Sequence, residues 1–302
     1  MAYQTGDTIL DTHYNDFATS VNALWGTGSG DRGVGESTTV STVSDGTTIA
    51  ASQWTTLLAR ITSLASHQGS SITSISNPSA GDTIEAFTAL STNIGTIDTN
   101  RLNVHARQSA VATNRDFTGN FTGTITYTHK WAWGSANQAR YFFNAGGRLN
   151  ISGSLSGHTS DTKADNWATL LTAAGTYQVT AQAGAKSGGS GSADTLLTTT
   201  AGYHDLTSTY ATVFKQFEDT GPYTASFVQW QLRTQNSGAE VETSCTWVDA
   251  AADQTSFDKS IYNVQDIVDG TKRMTFSYEK HNTTYVADNG GTITVSGSAT
   301  HA

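Results

Sequence analysis

The chain has 302 residues, and its charged fraction of 14% and hydrophobic fraction of 36% both fall below the globular norms of roughly 25% and 45–50%. With 51 Thr, 32 Ser and 29 Gly but only 2 Pro and no three-residue glycine period, it is not collagen; its 11 Phe, 11 Tyr and 7 Trp supply the apolar surface that a disordered tail lacks. A net charge of -9, with no Lys in the first 120 residues, offers no basic face for nucleic acid.

The opening Met1-Ala2-Tyr3-Gln4-Thr5-Gly6-Asp7 has neither a basic stretch nor an apolar one, so no signal peptide is expected. No window reaches the ~18 apolar residues of a membrane span. Next comes a repeat. Gly6-Asp7-Thr8-Ile9 precedes Tyr14, Phe17, Val21 and Leu24, and Gly46-Thr47-Thr48-Ile49 precedes Trp54, Leu57, Ile61 and Leu64. The gaps of 3, 4 and 3 residues put each set of four on one helix face, so each unit reads as an extended lead-in, a cap and an amphipathic helix. Asp11 or Thr12 and Ser52 are the expected caps, and Gly26 and Gly69 the left-handed stops. A degraded third copy begins at Gly81-Asp82-Thr83-Ile84 and continues through Phe87, Leu90, Ile94 and Ile97. Helices this short are marginal alone, so their stripes must be covered by one another, by the sheet domain or by a neighbouring copy. Tyr14, Trp25 and Trp54 are accordingly read as packing residues.

Residues 97–116 lack periodicity and read as a connector. From about Phe117 the period becomes 2. Alternation over 122–133, 148–154, 177–183, 227–234, 240–248, 274–278 and 292–295, rich in Thr, Val, Ile, Tyr and Trp, predicts short antiparallel strands. Asp165 to Leu171 predicts a capped helix, and Tyr210, Val213, Phe214 and Phe217 suggest a second. Residues 184–192 read as a mobile loop tip. Tyr127, Trp131 and Trp133 share a strand face, which is either a sugar-stacking platform or the core; the core is preferred. Arg140 to Arg148 reads as an aromatic strand ending in a sharp Gly-Gly turn.

Chemical motifs are few. Gly28-Ser29-Gly30-Asp31-Arg32-Gly33 has the letters of a dinucleotide fingerprint, but it follows a helix where that fingerprint must follow a strand, so it reads as a turn. The eight His never fall at metal-site spacings, and Cys245 is alone and read as a buried hydrophobe. Asp161, Asp165, Asp249, Asp253 and Asp258 lack the calcium-loop pattern and read as turn or cap residues. No catalytic residue, cofactor or metal is expected.

Tyr14-Asn15-x-Phe17, Gly26 to Gly33, Gln53-Trp54-Thr55-Thr56-Leu57 and His67-Gln68-Gly69 resemble the front half of virion structural proteins of tailed bacteriophages, notably T4-like phages of marine bacteria and cyanobacteria. Ala139 to Arg148, Trp247-Val248-Asp249 and Asp269-Gly270-Thr271 are similar to their second half, and Val34 departs from the Tyr that related sequences tend to carry. The resemblance implies a non-enzymatic structural component of the particle, often of the tail, assembled in the host cytoplasm with copies of itself and other virion proteins.

The expected architecture is α+β: a repeated strand–helix region over 1–100, a connector over 101–116, and a mainly antiparallel β-sandwich or jelly-roll-like domain over 117–302. Tyr14, Phe17, Val21, Leu24, Trp54, Leu57, Ile61 and Leu64 are the candidate assembly and packing residues. The expected function is a tail-associated structural protein (tail, collar, baseplate or fibre). The alternatives are a receptor- or glycan-binding adhesin module, with host surface glycan as partner, and a capsid decoration protein; a polysaccharide depolymerase is the enzyme-class rival. Neither nucleic acid nor membrane insertion is expected.

Overall fold

A computed structural model describes residues 11–79, 87–160, 162–219, 223–250 and 268–302. The fold is mixed α+β and mostly β, with five helices and eleven strands in two antiparallel sheets among these residues. The chain forms two compact units. The first comprises Met1–Ser109 with two later segments, Arg140–Gly147 and Lys280–Gly291; the second comprises Ala110–Ala139, Arg148–Glu279 and Thr292–Ala302.

The first unit is built on α1 (Asp11–Trp25), α2 (Ala51–Gln68) and α3 (Phe87–Thr99). Each has the apolar stripe that its spacing predicts, and the stripes meet in one core containing Leu24, Leu57, Leu64, Leu90, Ile94 and Ile97. Covering such aliphatic side chains stabilises by about 1.5–3 kcal/mol each. The Gly6–Ile9 and Gly81–Ile84 lead-ins lie outside the described residues. The helix ends differ in detail from expectation. Ala50 is the N-cap of α2 and Ser52 lies inside the helix; the Gln53 side chain accepts the Ala50 N–H at 2.8 Å and does part of the capping. Gly69 is the expected left-handed stop, with φ 70°. Gly26 is not; it is needed instead for close approach, because a Cβ there would press on the Asn22 carbonyl and the Thr39 methyl.

The connectors between helices are extended, and their backbone groups are satisfied by amide side chains. Asn15 donates to the Val43 carbonyl and accepts its N–H, at 2.9 and 2.8 Å, and Asn22 does the same for Val40 at 2.8 Å each. Asn93 of α3 pairs with Thr73 in the same way. A carboxamide presents the donor and acceptor of a peptide, so each Asn replaces one residue of a missing strand.

In the second unit, one sheet has the order β1 (Val111–Phe117), β10 (Thr271–Glu279), β3 (Arg148–Ser156), β4 (Thr176–Val179) and β5 (Gly184–Ser187). The other has the order β11 (Thr294–His301), β2 (Gly123–Ala132), β9 (Glu240–Asp249), β8 (Phe227–Gln235), β7 (Ala211–Phe217) and β6 (Thr195–Leu196). Burial alternates strictly along β2, β8 and β9, so one face of this sheet is core and the other meets solvent. Contacts join the two sheets: His129 stacks on Phe276 at 4.5 Å, the Tyr127 hydroxyl donates to the Lys272 carbonyl, and Trp247 Nε1 lies 3.2 Å from Met274 Sδ. Tyr127, Trp131 and Trp133 are buried, which excludes a surface platform at those rings.

Five expectations need correction. Ala136–Asn144 is a helix, α4, rather than a strand: Asn137, Arg140 and Asn144 recur at helical spacing, but the three consecutive buried rings Tyr141, Phe142 and Phe143 mask that period. Residues 211–217 are β7 rather than a helix, because a bulge between Thr212 and Phe214 turns both Val213 and Phe214 inward and imitates helical spacing. β1 occupies part of the stretch read as connector, and β5 part of the stretch read as loop. The helix α5 (Thr162–Ala174) starts three residues before the expected cap, leaving Asp165 in its first turn, where the dipole favours a carboxylate.

Candidate functional site

The eight stripe residues come together. Tyr14, Phe17, Val21, Leu24, Trp54, Leu57, Ile61 and Leu64 are all buried within the first unit, with Tyr14 edge-on to Trp54 at 5.3 Å and Phe17 against Phe87 at 4.9 Å. The Tyr14 hydroxyl donates to the Ser41 carbonyl, and burial pushes it up to about 12. These side chains therefore pack against their own chain, and any surface that docks a neighbour must be built from other residues.

The motifs that carry the sequence resemblance also meet in this unit. The Arg140 guanidinium donates to the Thr27 carbonyl at 2.6 Å and the Arg32 carbonyl at 2.7 Å, while Asn144 donates to the Gly30 and Gly33 carbonyls at 3.1 and 3.0 Å. Two ion pairs, Arg101–Asp31 at 2.5 Å and Arg32–Asp98 at 2.8 Å, fasten the same turn. The 280–291 segment is held by Glu36, which accepts the Ala287 N–H, and by Asn289, which donates to the Val34 carbonyl. The glycine-rich stretch is thus a clamped turn whose carbonyls are already engaged.

His67 and His281 lie edge to face at 5.2 Å and are both buried. His67 Nε2 is 3.1 Å from the Ala145 carbonyl oxygen, and His281 Nε2 is 3.2 Å from those of Val286 and Ala287. Burial, and then the proximity of His281, lowers His67 to about 4; burial lowers His281 as well.

In the second unit, the cross-strand register aligns the solvent-facing side chains in rows. One row runs Ser296, Lys130, Glu242, Arg233; the next runs Ser298, Thr128, Ser244, Gln231, Thr212. A third runs Thr300, Thr126, Thr246, Gln229, Lys215, with the Lys215 ammonium over the Phe217 and Phe227 rings. At the first row the face sinks into an open cavity of about 340 Å3, walled by Lys130, Tyr210, Arg233, Glu242 and Ser296 and floored partly by Gly297. Gly297 has φ +147°, and any Cβ there would collide with the Thr128 carbonyl oxygen, so only glycine lets β11 lie this close to β2. Both cations in the cavity wall are neutralised. Arg233 places Nε and Nη2 at 2.8 and 2.6 Å from one Glu242 oxygen, with its guanidinium 4.3 Å from the Tyr210 ring, and Lys130 reaches Glu240 at 3.2 Å. Burial raises the Tyr210 hydroxyl, against the pull of Arg233, and keeps it a neutral donor.

The sheet edges are unequal. β5 and β6 have four and two residues, and β1 carries Arg115 and Asp116. β11 has eight residues, Thr-Val-Ser-Gly-Ser-Ala-Thr-His, free of Asp, Glu, Lys, Arg and Pro and nearly all exposed. Ala302 and Thr124 exchange backbone bonds, so along the antiparallel ladder the even-numbered residues of β11 face β2. Val295, Gly297, Ala299 and His301 therefore turn their N–H and C=O groups outward. The alternation predicts a strand at 292–295, short of the observed Thr294–His301, and which strands are edges is a property of the topology.

Elsewhere, Cys245 is buried, beside Thr243, and burial pushes its thiol up to about 12. Asp249 is buried in an ion pair with Lys163 at 2.9 Å. Asp161, Asp253 and Asp258 lie outside the described residues. Among the described residues no three His, Cys, Asp or Glu side chains gather as metal ligands, and no helix is long and apolar enough to cross a membrane. Comparison with protein-family models, with curated proteins and with solved structures gives no match.

Proposed function

We propose that the chain is a non-enzymatic structural component of a tailed-phage particle, tail-associated, that assembles with copies of itself and other virion proteins. The observation that carries the assembly part is the long, uncharged and exposed edge of β11, which meets β1 where His301 packs against Phe117 at 5.1 Å. Monomeric sheet proteins shorten, charge or cover their edges, and here β1, β5 and β6 follow that rule while the long uncharged β11 breaks it. An added antiparallel strand would satisfy the outward backbone groups of residues 295, 297, 299 and 301. The half-exposed Val295 would be covered at the same time. No like charges would meet if the partner were a second β11. The phage and tail assignment rests on the sequence resemblance, whose motif residues Asn15, Gln53, His67, Arg140 and Asn144 are all structural clamps of the first unit.

The finer fold reading is a jelly-roll-like β-sandwich after a repeated strand–helix region. It is supported by the nested pairing of β1 with β10 and β2 with β9, with β3 returning beside β10, and by the like stripes of α1 and α2.

The test is the native mass of the full chain by analytical ultracentrifugation, alone and as Val295→Lys or Ala299→Pro. The wild type should form a discrete oligomer, and either variant should reduce it to monomer while keeping its circular dichroism. A monomeric wild type, or an oligomer indifferent to both changes, would refute the assembly reading.

A further inference from the structure

We propose that the solvent face of the six-stranded sheet, with its cavity at Lys130, Tyr210, Arg233 and Glu242, is a binding site for an uncharged polysaccharide. The argument is independent of the β11 edge and rests on the chemistry of the three rows. Apart from the paired charges and Lys215 at the far end of the third row, these rows present hydroxyls and carboxamides: Thr126, Thr128, Thr246, Ser244, Gln229 and Gln231. Such groups donate and accept alike, so they match the hydroxyls of a sugar in either direction. An apolar ligand finds no aliphatic surface in these rows.

An anionic ligand finds no free cation in the cavity wall, because Arg233 is engaged by Glu242 and Lys130 by Glu240. The net charge of -9 further disfavours a polyanion. A protein partner is the other class to weigh. Interface centres are enriched in aromatic residues and Met and depleted in Ser, Lys and Glu, which is the reverse of these three rows; the aromatic pair Phe217 and Phe227 lies in the row beyond them. The cavity gives a bound polymer a fixed point: the paired guanidinium and carboxylate offer donors and an acceptor to neighbouring hydroxyls, and the Tyr210 hydroxyl in the cavity wall offers a third group. From there the polymer would lie across strands spaced by about 4.8 Å, meeting a polar side chain at each.

The experiment is affinity electrophoresis of the full chain in native gels containing dextran, soluble starch, mannan or laminarin as neutral polymers, and alginate or heparin as anionic ones. The inference expects retardation by at least one neutral polymer and none by the anionic pair. Tyr210→Ala and the double replacement Arg233→Leu/Glu242→Leu should each weaken retardation about tenfold or more, the effect of removing one or two well-made polar contacts. Ser244→Ala, which removes a single hydroxyl from the middle row, should weaken it measurably without disturbing the fold. Val295→Lys should leave retardation intact, which separates this site from assembly through β11. Retardation by no neutral polymer, retardation only by alginate or heparin, or retardation unchanged in Tyr210→Ala and Ser244→Ala would each overturn the inference. So would a change in Tyr210→Ala confined to the native mass, which would mark the face as a contact between copies.

Discussion

Replacing His67 by Gln should flatten the acid dependence of the first unit. In the folded chain His67 titrates at about 4 instead of 6.5, chiefly because it is buried and secondarily because His281 faces it. The shift is downward, so the folded state disfavours the charged ring. Stability is complete above the unfolded value of 6.5 and is lost as pH falls from there through about 4. A change of that size makes protonation of the folded form about 3 kcal/mol harder, so about 3 kcal/mol of stability should disappear across that window. The surroundings offer little relief: the groups facing the pair are the Ala145 carbonyl on the His67 side and Lys280, Asp288 and the carbonyls of Val286 and Ala287 on the His281 side. A Gln at 67 retains an N–H able to reach the Ala145 carbonyl but cannot take up a proton. The assay is hydrogen exchange with mass-spectrometric readout of peptides covering 61–70 and 280–291, in urea at several pH values. Reading these segments separates the pair from His129 in the second unit, which burial lowers to about 3. Wild type should lose protection in both peptides between pH 6.5 and 4, and the variant should lose markedly less. Equal acid sensitivity in the two proteins would refute the reasoning.

Three further outcomes follow from the packing. Leu57→Ala, at a fully buried position of α2, should destabilise the first unit by about 2–5 kcal/mol in urea melts. Asn22→Ala leaves the Val40 N–H and C=O without their partner and should cost about 1–3 kcal/mol, with exchange at Val40 accelerated, whereas Asn22→Gln should not restore it because the longer amide misses the register. Lys163→Met removes the cation beside the buried Asp249 carboxylate, to which Ser226 Oγ also donates, and should cost about 3–5 kcal/mol, most of which the double change Lys163→Met/Asp249→Leu should recover; urea midpoints of the two variants check this.

The parts legible in the sequence were those in which one period holds over a whole element. Leu57, Ile61 and Leu64 keep helical spacing and are buried as expected, and the alternation through Ile125, Tyr127 and Trp131 gave both the strand and its inner face. The misread elements are those in which tertiary structure overrides the period. The bulge at Thr212 turned a strand pattern into a helix-like one, and the three consecutive buried rings of α4 masked the helical spacing of Asn137, Arg140 and Asn144. The polar clamps were invisible for a different reason. Asn15, Asn22 and Asn93 look like ordinary helix-surface residues until the connectors lie beside them, since a side-chain-to-backbone pair leaves no spacing to read. The same holds for the candidate face: Lys130, Tyr210, Arg233, Glu242 and Ser296 are scattered over more than 160 positions and meet only through the strand order β11, β2, β9, β8.

The central claim is that β11 is an assembly edge, and residue-resolved hydrogen exchange of its amides tests it most directly. If a second strand adds there, the N–H groups of Val295, Gly297, Ala299 and His301 should be protected at concentrations where the native mass is that of an oligomer, and should exchange freely once the chain is diluted to monomer. Rapid exchange at all four positions in the oligomer would contradict it.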